Sequence, residues 1–409
     1  MKKVIVIGGG PAGLMAAAAA AIQGAETMIL EKKPQLGTKL AITGKGRCNV
    51  TTALPMDEQL QHYPRNGKFL YSALNQFSSQ NLIELLQQQG CPTKIERGAR
   101  VFPQSDRAKD VVSAMVNFAR QAGVRFLLNT PVEKLQKRGD RFIIYSAHQK
   151  LEADAVVIAT GGLSYPGTGS TGDGYRWGET FGHTIVSVRP GLIPLVVDEP
   201  WVRDLQGLSL RNVSLMAYGE KKLINRDFGE MLFTHFGISG PIVLSMSRDI
   251  VEYMAVSGQK VRMVLDLKPA LNENVLEQRI LRDLAKHANK QIDNALHDLL
   301  PSKMINAIIQ ASELPGDKPC HQITKEERQR LMRALKSLTF TVSKWRPIEE
   351  AIVTTGGIAV KEINPGTMES KLVQGLFWAG EVIDVDGYTG GFNLQSAWST
   401  GWVAGTHAV

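Results

Sequence analysis

The chain has 409 residues, more than a single hydrophobic core usually supports, so roughly two or three domains are expected. With 43% hydrophobic and 21% charged residues, its composition is that of a globular protein, and it contains neither an internal repeat nor a disordered tract. The net charge of +8 comes from basic residues scattered among acidic ones. This pattern favours a solvated basic surface and makes nucleic acid an unexpected partner.

The cysteines and the apolar segments bear on the location of the protein. Cys48, Cys91 and Cys320 are far apart and include no CxxC pair, which argues against a disulfide framework or a thiolate zinc site. The apolar start VIVI is interrupted by GGGPAG, unlike a secretory signal. No stretch reaches the ~18–20 apolar residues of a membrane span. We therefore expect a cytoplasmic protein with no membrane association and no bound metal.

The first residues predict a dinucleotide cradle. KKVIVI (2–7) is typical of a buried parallel strand, and GGGPAG then sets glycines in the G-x-G-x-x-G spacing at the start of an alanine-rich helix, 11–23. A second strand, ETMIL, leads to an acid near the position of a carboxylate that binds a ribose, which leaves FAD and NAD open and disfavours NADP. The residues expected to hold the dinucleotide here are Gly8, Gly10, Pro11, Ala12, Gly13, Glu31 and Lys32.

A glycine-rich basic loop, GTKLAITGKGRCNVT (37–51), favours FAD over NAD. An NAD-binding unit continues into an ordinary helix and strand at this point, whereas such a loop can wrap back over a pyrophosphate and a ribityl chain. Lys45 or Arg47 is a candidate phosphate partner, Asn49 is a candidate contact of the flavin ring edge, and a small packed residue is the plainer interpretation of Cys48. The predicted cofactor contacts in this loop are Lys39, Gly46, Arg47, Cys48 and Asn49.

Two later segments complete the predicted site. LEADAVVIATGG (151–162) is typical of a second nucleotide-proximal strand, and a meander of strands around Arg138-Gly139-Asp140 precedes it. Near the C-terminus, LFWAGEVIDVDGYTGGFNLQSAWSTG predicts a strand, a loop and a helix whose N-terminus points at the flavin N1–C2=O edge, with Glu381 where an aspartate is usual. The predicted contacts are Val132, beside the adenine, and Ala159, Thr160, Gly161, Gly380, Glu381, Asp384, Gly391, Phe392 and Asn393.

Several motifs together resemble those of one family. These motifs are GKGRCNVT, ATGGLSYPGTGSTGDGY, HFGISGP, VTTGGI and GEVIDVDGYTGGFNLQSAWSTG, and the resemblance covers essentially the whole chain. They are similar to those of the flavoproteins that include aminoacetone oxidase and a bile-acid dehydro-intermediate reductase. The resemblance implies bound FAD and an α/β fold of the glutathione-reductase-like, two-dinucleotide type, in which a discontinuous Rossmann-type FAD-binding domain carries an insert.

The insert is predicted from a change of pattern after residue 193. Strand-like segments such as LIPLVV and VRMVLDL predict a β-barrel over 194–270, and helical periodicity predicts a helical subdomain over 271–338 with a capping box at Thr324 and Glu327. The two parts of the FAD-binding domain are then expected at 1–193 and 339–409. We expect the insert to cover the flavin and to shape the substrate pocket.

The expected activity is FAD-dependent oxidoreduction of a small organic substrate, with electrons from NADH or NADPH. No second dinucleotide motif is present, so a nicotinamide donor is expected to bind transiently over the flavin. His235 and Tyr388 are candidate proton donors, beside the plainer interpretations of a turn-capping histidine and a packed tyrosine. An amine oxidase that uses O₂, a flavin-bearing nucleic-acid-associated protein and a non-catalytic FAD-binding protein are the alternatives, and the oligomeric state is left open.

Overall fold

A computed structural model of the chain describes residues 1–147 and 149–409. Its strands are β1 Lys3–Ile7, β2 Glu26–Leu30, β3 Thr51–Thr52, β4 Thr93–Glu96, β5 Arg100–Pro103, β6 Arg125–Leu127, β7 Val132–Arg138, β8 Arg141–Ser146, β9 Lys150–Ala153, β10 Ala155–Ile158, β11 Ile185–Gly191, β12 Leu195–Val197, β13 Ser209–Gly219, β14 Lys222–Thr234, β15 Gly237–Ser239, β16 Val261–Asp266, β17 Leu338–Trp345, β18 Val353–Ile358 and β19 Leu376–Trp378. Its α-helices are α1 Pro11–Ile22, α2 Met56–Gln61, α3 Tyr71–Gln76, α4 Ser79–Gln88, α5 Ala108–Gln121, α6 Asp173–Thr180, α7 Trp201–Asp204, α8 Pro241–Ser257, α9 Glu273–Lys286, α10 Ile292–Ala295, α11 Ser302–Ala311, α12 Lys325–Lys336 and α13 Phe392–His407. Residue contacts divide the chain into two compact units, Met1–Gly191 with Ile348–Val409, and Leu192–Pro347.

The first unit is built on a parallel sheet in the order β19-β10-β1-β2-β6. Strand β1 lies at its centre because a run of branched apolar residues can be buried on both faces, and Val4, Ile5 and Val6 are completely buried. Helix α1 follows β1 and leads into β2, so the strand–helix–strand order predicted for residues 2–31 is confirmed. This order is the mononucleotide-binding half of a Rossmann fold.

Helices α1 and α13 of this unit pack through their smallest residues. A Cβ added at Gly401 would lie 2.3 Å from Ala12 O, and one added at Gly405 would lie 2.0 Å from Ala16 O. Only glycine lets the two backbones approach so closely. Since later residues of one helix meet later residues of the other, the two helices run in the same direction.

The remaining sheets of the first unit are antiparallel. The predicted meander is confirmed: β7, β8 and β9 pair in turn, and Arg138 lies opposite Arg141 across the Gly139-Asp140 turn. A small sheet pairs β5 with both β3 and β4. Strand β11 pairs with β18 and so joins the chain segments that precede and follow the second unit.

The second unit contains a closed barrel in the order β12-β15-β14-β13-β16-β17. Strand β17 closes the barrel because it pairs with both β16 and β12, although the sequence assigned most of its residues to the returning FAD-binding part. Helices α9 to α12 lie in the connection between the paired strands β16 and β17. The predicted β-barrel with an inserted helical region is therefore confirmed, with β17 as an additional barrel strand.

The last helix of the helical region, α12, begins with the capping box that the sequence predicted. Thr324 Oγ1 accepts a hydrogen bond from Glu327 N–H at 3.2 Å, and Glu327 Oε2 accepts one from Thr324 N–H at 2.8 Å. This reciprocal pair is the predicted capping box and starts α12.

Over residues 1–147 and 149–409, the helices all fall short of the length and apolarity needed to cross a membrane.

Candidate flavin-binding site

Several of the predicted cofactor contacts follow strands that end at one edge of the parallel sheet. Ile7 pairs with Leu30 on one side and with Ile158 on the other, and Ile158 pairs with Trp378, so the four strands end level. Ligands of open α/β sheets bind outside the carboxyl ends of the strands. The predicted residues that follow these strand ends directly are Gly8, Glu31, Ala159, Thr160, Gly161, Gly380 and Glu381.

The first glycine loop leaves room for a pyrophosphate at one position only. A Cβ at Gly8 would lie 2.4 Å from Ala159 O and one at Gly13 would lie 1.8 Å from Gly8 O, so both glycines are needed for packing. In contrast, within the described residues a Cβ at Gly10 would meet nothing within 4 Å. Helix α1 begins at this open space, and no side chain of the described chain caps it. Its first amides and the positive end of its dipole are therefore available to an anion.

Glu31 lies at the position expected of the ribose carboxylate. Its Oε2 accepts from Gly9 N–H at 2.7 Å and its Oε1 accepts from Lys33 N–H at 2.8 Å. Because an ionised carboxylate has about four lone-pair sites, both oxygens retain capacity to accept from ribose hydroxyls. The chain beyond Glu31 then returns over the glycine loop, where Gly37 N–H donates to Gly9 O at 2.8 Å.

Lys32 and Val132 flank this carboxylate. Lys32 Nζ lies 2.6 Å from Asp173 Oδ2. Burial raises the pKa of Asp173, but the hydrogen bond and charge of Lys32 outweigh burial and hold that pKa below its ordinary value. Val132 comes two residues after Thr130, whose N–H donates to Glu31 O at 2.9 Å. Lys32 is thus already paired with a carboxylate, and the chain before Val132 lies beside the end of β2.

The structure joins Lys39 and Glu381, which are 342 positions apart, in an ion pair of 2.7 Å. Lys39 Nζ also donates to Ser164 Oγ at 2.6 Å, and Glu381 Oε1 accepts from Ser164 Oγ at 3.1 Å and from Thr354 N–H at 2.7 Å. Sequence reasoning did not single out Ser164 or Thr354. Ser164 lies in the motif ATGGLSYPGTGSTGDGY and Thr354 lies in the motif VTTGGI. Membership of these two motifs could have identified both residues as part of the site.

Arg47 and Cys48 have partners of their own. Arg47 donates to Asp106 Oδ1 through Nε at 2.9 Å and also bonds to Glu96, and these two carboxylates raise its pKa above the usual range. The guanidinium charge is therefore compensated within the protein, and its contact with a phosphate stays a prediction. Cys48 is completely buried, and burial raises the pKa of its thiol to about 12, as fits a packed neutral residue. Gly46, with φ of +84°, lies exposed in the turn before them.

Asn49 and Asn393 bind backbone groups of the loop that leads into α13. With its amide oxygen turned towards Gly391, Asn49 accepts from Gly391 N–H at 3.0 Å and donates to Thr51 O at 3.0 Å. Asn393 accepts from Gly387 N–H at 2.8 Å and donates to Gly387 O at 2.7 Å. Both side chains are engaged with backbone, and in the described chain no side chain caps α13. The N-terminus of α13 therefore presents its amides, which suits the flavin edge where negative charge develops on reduction.

A strap, residues 62–66, lies against the loop before α13 and was not expected from the sequence. Tyr388 N–H donates to His62 O at 3.0 Å. Asn66 Nδ2 donates to Asp384 O at 2.7 Å and to Asp384 Oδ2 at 2.9 Å. The predicted residue Asp384 is thus buried under the strap, and Tyr388 is half-buried beside it.

His62 is a further candidate residue at the start of α13. Its ring stacks on the Phe392 ring with centroids 4.3 Å apart and planes 13° apart, while Tyr63 Oη donates to Phe392 O at 2.8 Å. Burial lowers the pKa of His62, so its imidazole is neutral at neutral pH. A neutral imidazole can exchange a proton with a bound substrate.

Two buried hydroxyls at the site lack a hydrogen-bond partner within the described chain, Thr160 Oγ1 and Tyr175 Oη. Tyr175 is only 7% exposed, and its Oη lies 3.1 Å from the place of a Cβ at Gly162. Burying a hydroxyl without a partner costs about 1–3 kcal/mol, which a bound cofactor or an ordered water would offset. With the open space at Gly10, the acceptor capacity of Glu31 and the uncapped helices, the residues present fit FAD.

The candidate proton donors His235 and Tyr388 lie in different units. His235 is exposed on the turn between β14 and β15 of the second unit, where its ring centroid lies 4.9 Å from that of Phe236. Tyr388 belongs to the loop before α13 in the first unit, and Asn393 Nδ2 donates to its carbonyl at 3.4 Å. A catalytic role for either residue stays a prediction.

The fold and the site define a flavoprotein with a Rossmann-type FAD-binding domain. The model of the HI0933-like protein Rossmann domain matches residues 2–407, and the chain belongs to this family. FAD is accordingly its cofactor, and the chain is an FAD-dependent oxidoreductase.

Known relatives match over nearly the full length. The chain is 32% identical over 411 residues to a 3-dehydro-bile acid delta(4,6)-reductase of Clostridium scindens, with 100% of this chain and 99% of the relative covered. It is 31% identical over 400 residues to a ribosomal RNA dihydrouridine synthase of Escherichia coli, with 97% and 96% covered. A solved 3-ketosteroid delta1-dehydrogenase of Sterolibacterium denitrificans has a TM-score of 0.54 at 13% identity, with 100% of this chain and 99% of that chain covered. The last likeness concerns the fold alone.

Proposed function

We propose that this protein reduces a carbon–carbon double bond conjugated to a carbonyl group, with electrons from NADH or NADPH. The observation that carries the proposal is the full-length match to two relatives whose names describe one kind of reaction. A delta(4,6)-reductase of a 3-dehydro bile acid acts on double bonds conjugated to a ketone. Dihydrouridine forms when the uracil C5=C6 bond, which is conjugated to the C4 carbonyl, is saturated.

Saturation of one carbon–carbon double bond adds two electrons and two protons to the substrate. One nicotinamide and one solvent proton are consumed for each double bond saturated, and the oxidised nicotinamide is released. FAD, when bound, supplies the hydride chemistry between the two substrates. The chain must then orient the carbonyl, exclude water and deliver a proton to the α-carbon of the double bond.

Three side chains are candidates to deliver this proton: His62, Tyr388 and His235. The first two lie at the loop and helix start that suit the flavin edge, where the His62 ring stacks on the Phe392 ring. We expect Tyr388→Phe and His235→Ala to lower turnover without loss of FAD. Unchanged turnover in either variant removes that residue from the list of proton donors.

The test of the proposal starts with the purified holoprotein under anaerobic conditions. NADH and NADPH are each added while the visible flavin band is followed, and a 3-oxo-4-ene steroid is then added as the acceptor. Bleaching by a nicotinamide and recovery of the band on addition of the conjugated ketone, but not of its saturated analogue, is the expected result. A flavin that neither nicotinamide bleaches contradicts the proposal and points to an oxidase whose own amine substrate supplies electrons to O₂.

A uridine in RNA is the second candidate acceptor. The sequence alone favoured a solvated basic surface, but the net charge of +8 also suits a polyanionic substrate, and a relative of nearly full coverage is named for ribosomal RNA. Nicotinamide oxidation that depends on a uridine-containing RNA, with loss of uridine absorbance, is the expected result for this candidate. Turnover with the steroid and none with RNA rejects it while the general proposal stands.

A further inference from the structure

We infer that one face of the barrel is a docking surface for single-stranded RNA, an inference that rests on the RNA form of the proposed function. The surface lies on the outside of the β13–β14 hairpin and the adjoining end of β16. We call it the outer hairpin face. Its members are Met216, Tyr218, Leu223, Arg226, Phe228 and Arg262.

The strand register brings these side chains to one side of the sheet. Met216 lies opposite Arg226, and Tyr218 lies opposite Leu223 on β14 and opposite Arg262 on β16. Alternate residues of a strand point to opposite faces. The residues between them on β13, such as Ala217, are completely buried and point into the barrel unit.

Helix α8 covers the opposite face of this hairpin. A Cβ at Gly219 would lie 2.2 Å from the Tyr253 ring of α8, and Asn225 Nδ2 donates to Asp249 Oδ2 of the same helix. The outer hairpin face lies on the other side, where Phe228 is 58% exposed and Leu223 is 46% exposed. Large exposed apolar side chains that cluster on one face mark a surface suited to a partner.

The charge of the outer hairpin face suits an anion. Arg226 and Arg262 are exposed on it, and Lys221 and Lys222 are exposed at the hairpin turn. Two acids near it are ion-paired, since Glu230 lies 4.0 Å from Arg211 and Asp266 lies 2.6 Å from Lys336. Glu220 at the turn accepts only from the neutral amide of Gln259, at 2.8 Å, and Asp227 stands opposite Leu215, which is on the other side of the sheet. Among the described residues, the four basic side chains therefore outnumber the one acid at the turn, Glu220, and the surface carries an excess of positive charge.

The combination of rings and guanidinium groups favours nucleic acid over other anions. Arg262 lies 4.9 Å from the centroid of the Tyr218 ring, and Phe228 stands opposite Ser214, four positions along β13 from Tyr218. Two aromatic surfaces thus lie about 13 Å apart along the strand, with Arg226 between them. Proteins bind single strands by stacking bases on such rings while basic side chains meet the phosphates.

The experiment measures binding of the holoprotein to a fluorescein-labelled single-stranded oligouridylate by anisotropy at several salt concentrations. Phe228→Ala is expected to weaken binding about tenfold through lost stacking. Replacing both Arg226 and Arg262 by alanine is expected to weaken binding. It should also lower the slope of the logarithm of the binding constant against the logarithm of the salt concentration by about 0.7 for each lost phosphate contact. The matched controls are Tyr71→Ala and Arg125→Ala, both in the first unit. Tyr71 is 54% exposed and the Arg125 side chain is 65% exposed.

The outcomes separate this inference from the proposed function. The inference is supported if the Phe228 variant and the variant lacking Arg226 and Arg262 bind the oligouridylate weakly while both controls bind it as the wild type does. If the controls weaken binding as much as the hairpin variants, or if the wild-type protein does not bind the oligouridylate, the inference is overturned. Flavin bleaching by NADH or NADPH is measured on the same samples, and its persistence in every variant shows that the fold and the reductive half-reaction are intact.

Discussion

Replacing Gly10 and Gly13 by alanine, one at a time, separates cofactor binding from folding. At Gly10 the new methyl group enters open space, and the backbone angles of φ −82° and ψ −171° are allowed for alanine. At Gly13 the methyl group would lie 1.8 Å from Gly8 O, so strand and helix must move apart. We therefore expect Gly10→Ala to weaken FAD binding and Gly13→Ala to lower the stability of the fold.

The magnitudes follow from these geometries. Gly10→Ala loses about 0.5 kcal/mol as a poorer helix N-cap and gains about 0.4–1 kcal/mol from a less flexible unfolded chain, so stability changes little. Its methyl group would enter the open space where we expect the pyrophosphate, so FAD binding should weaken at least about tenfold, or about 1.4 kcal/mol. Gly13→Ala overpacks the glycine loop and is expected to cost about 1–3 kcal/mol or more of the free energy of unfolding.

The assay combines FAD titration of the deflavinated protein, by quenching of flavin fluorescence, with thermal unfolding in the presence and absence of excess FAD. Gly316→Ala is the matched control, because its Cβ would lie 3.7 Å from the Ile309 side chain, an ordinary contact. FAD affinity of Gly10→Ala equal to that of the wild type would refute the argument that the pyrophosphate passes in front of Gly10.

Three further predictions concern the fold. Gly401→Ala pushes a methyl group to within 2.3 Å of Ala12 O, so we expect a loss of about 1–3 kcal/mol of unfolding free energy in urea titration, and an unchanged midpoint contradicts the close helix packing. Because burial raises the pKa of Cys48 to about 12, only about 10⁻⁴ of its thiol is ionised at pH 8, and Ellman's reagent should label it only after unfolding. Burial also lowers the pKa of His62 and of His183, so the unfolded chain binds protons that the folded protein does not, and the free energy of unfolding falls as pH drops below about 6.5. Replacing both histidines by glutamine should make this fall shallower, and an identical pH profile would show that other groups control it.

Much of the fold could be predicted from the sequence because its signals are local. The apolar run of β1, the glycines after it and the alanine-rich α1 each follow one another within a few residues. The same holds for the two-residue turn after Arg138 and for the capping box at Thr324, which were both predicted and confirmed. Each of these depends on backbone conformations that a short segment adopts by itself.

Partner choice over long distances could not be predicted in the same way. The sequence did not indicate that Arg47 would pair with Asp106 and Glu96, as it does in the structure, and its contact with a phosphate stays a prediction. Nor did it indicate that Asn49 would join the backbone of Thr51 in β3 to that of Gly391 before α13, and its contact with the flavin ring edge stays a prediction. A basic or amide side chain in a loop has the same sequence pattern whether its partner is a ligand or the protein itself.

The sequence by itself determined that this is a two-part FAD protein, because the nucleotide cradle, its acid and the flavin-facing helix each carry a local motif. Only the tertiary structure decided how these pieces make one site. It is the level ends of parallel strands that bring Glu31 and Glu381 to the same sheet edge, and the ion pair of Glu381 with Lys39 spans 342 positions. Folding alone also decided that β17 closes the barrel and that His62 stacks at the start of α13. Such contacts depend on strand pairing and packing across the whole chain, which no local pattern encodes.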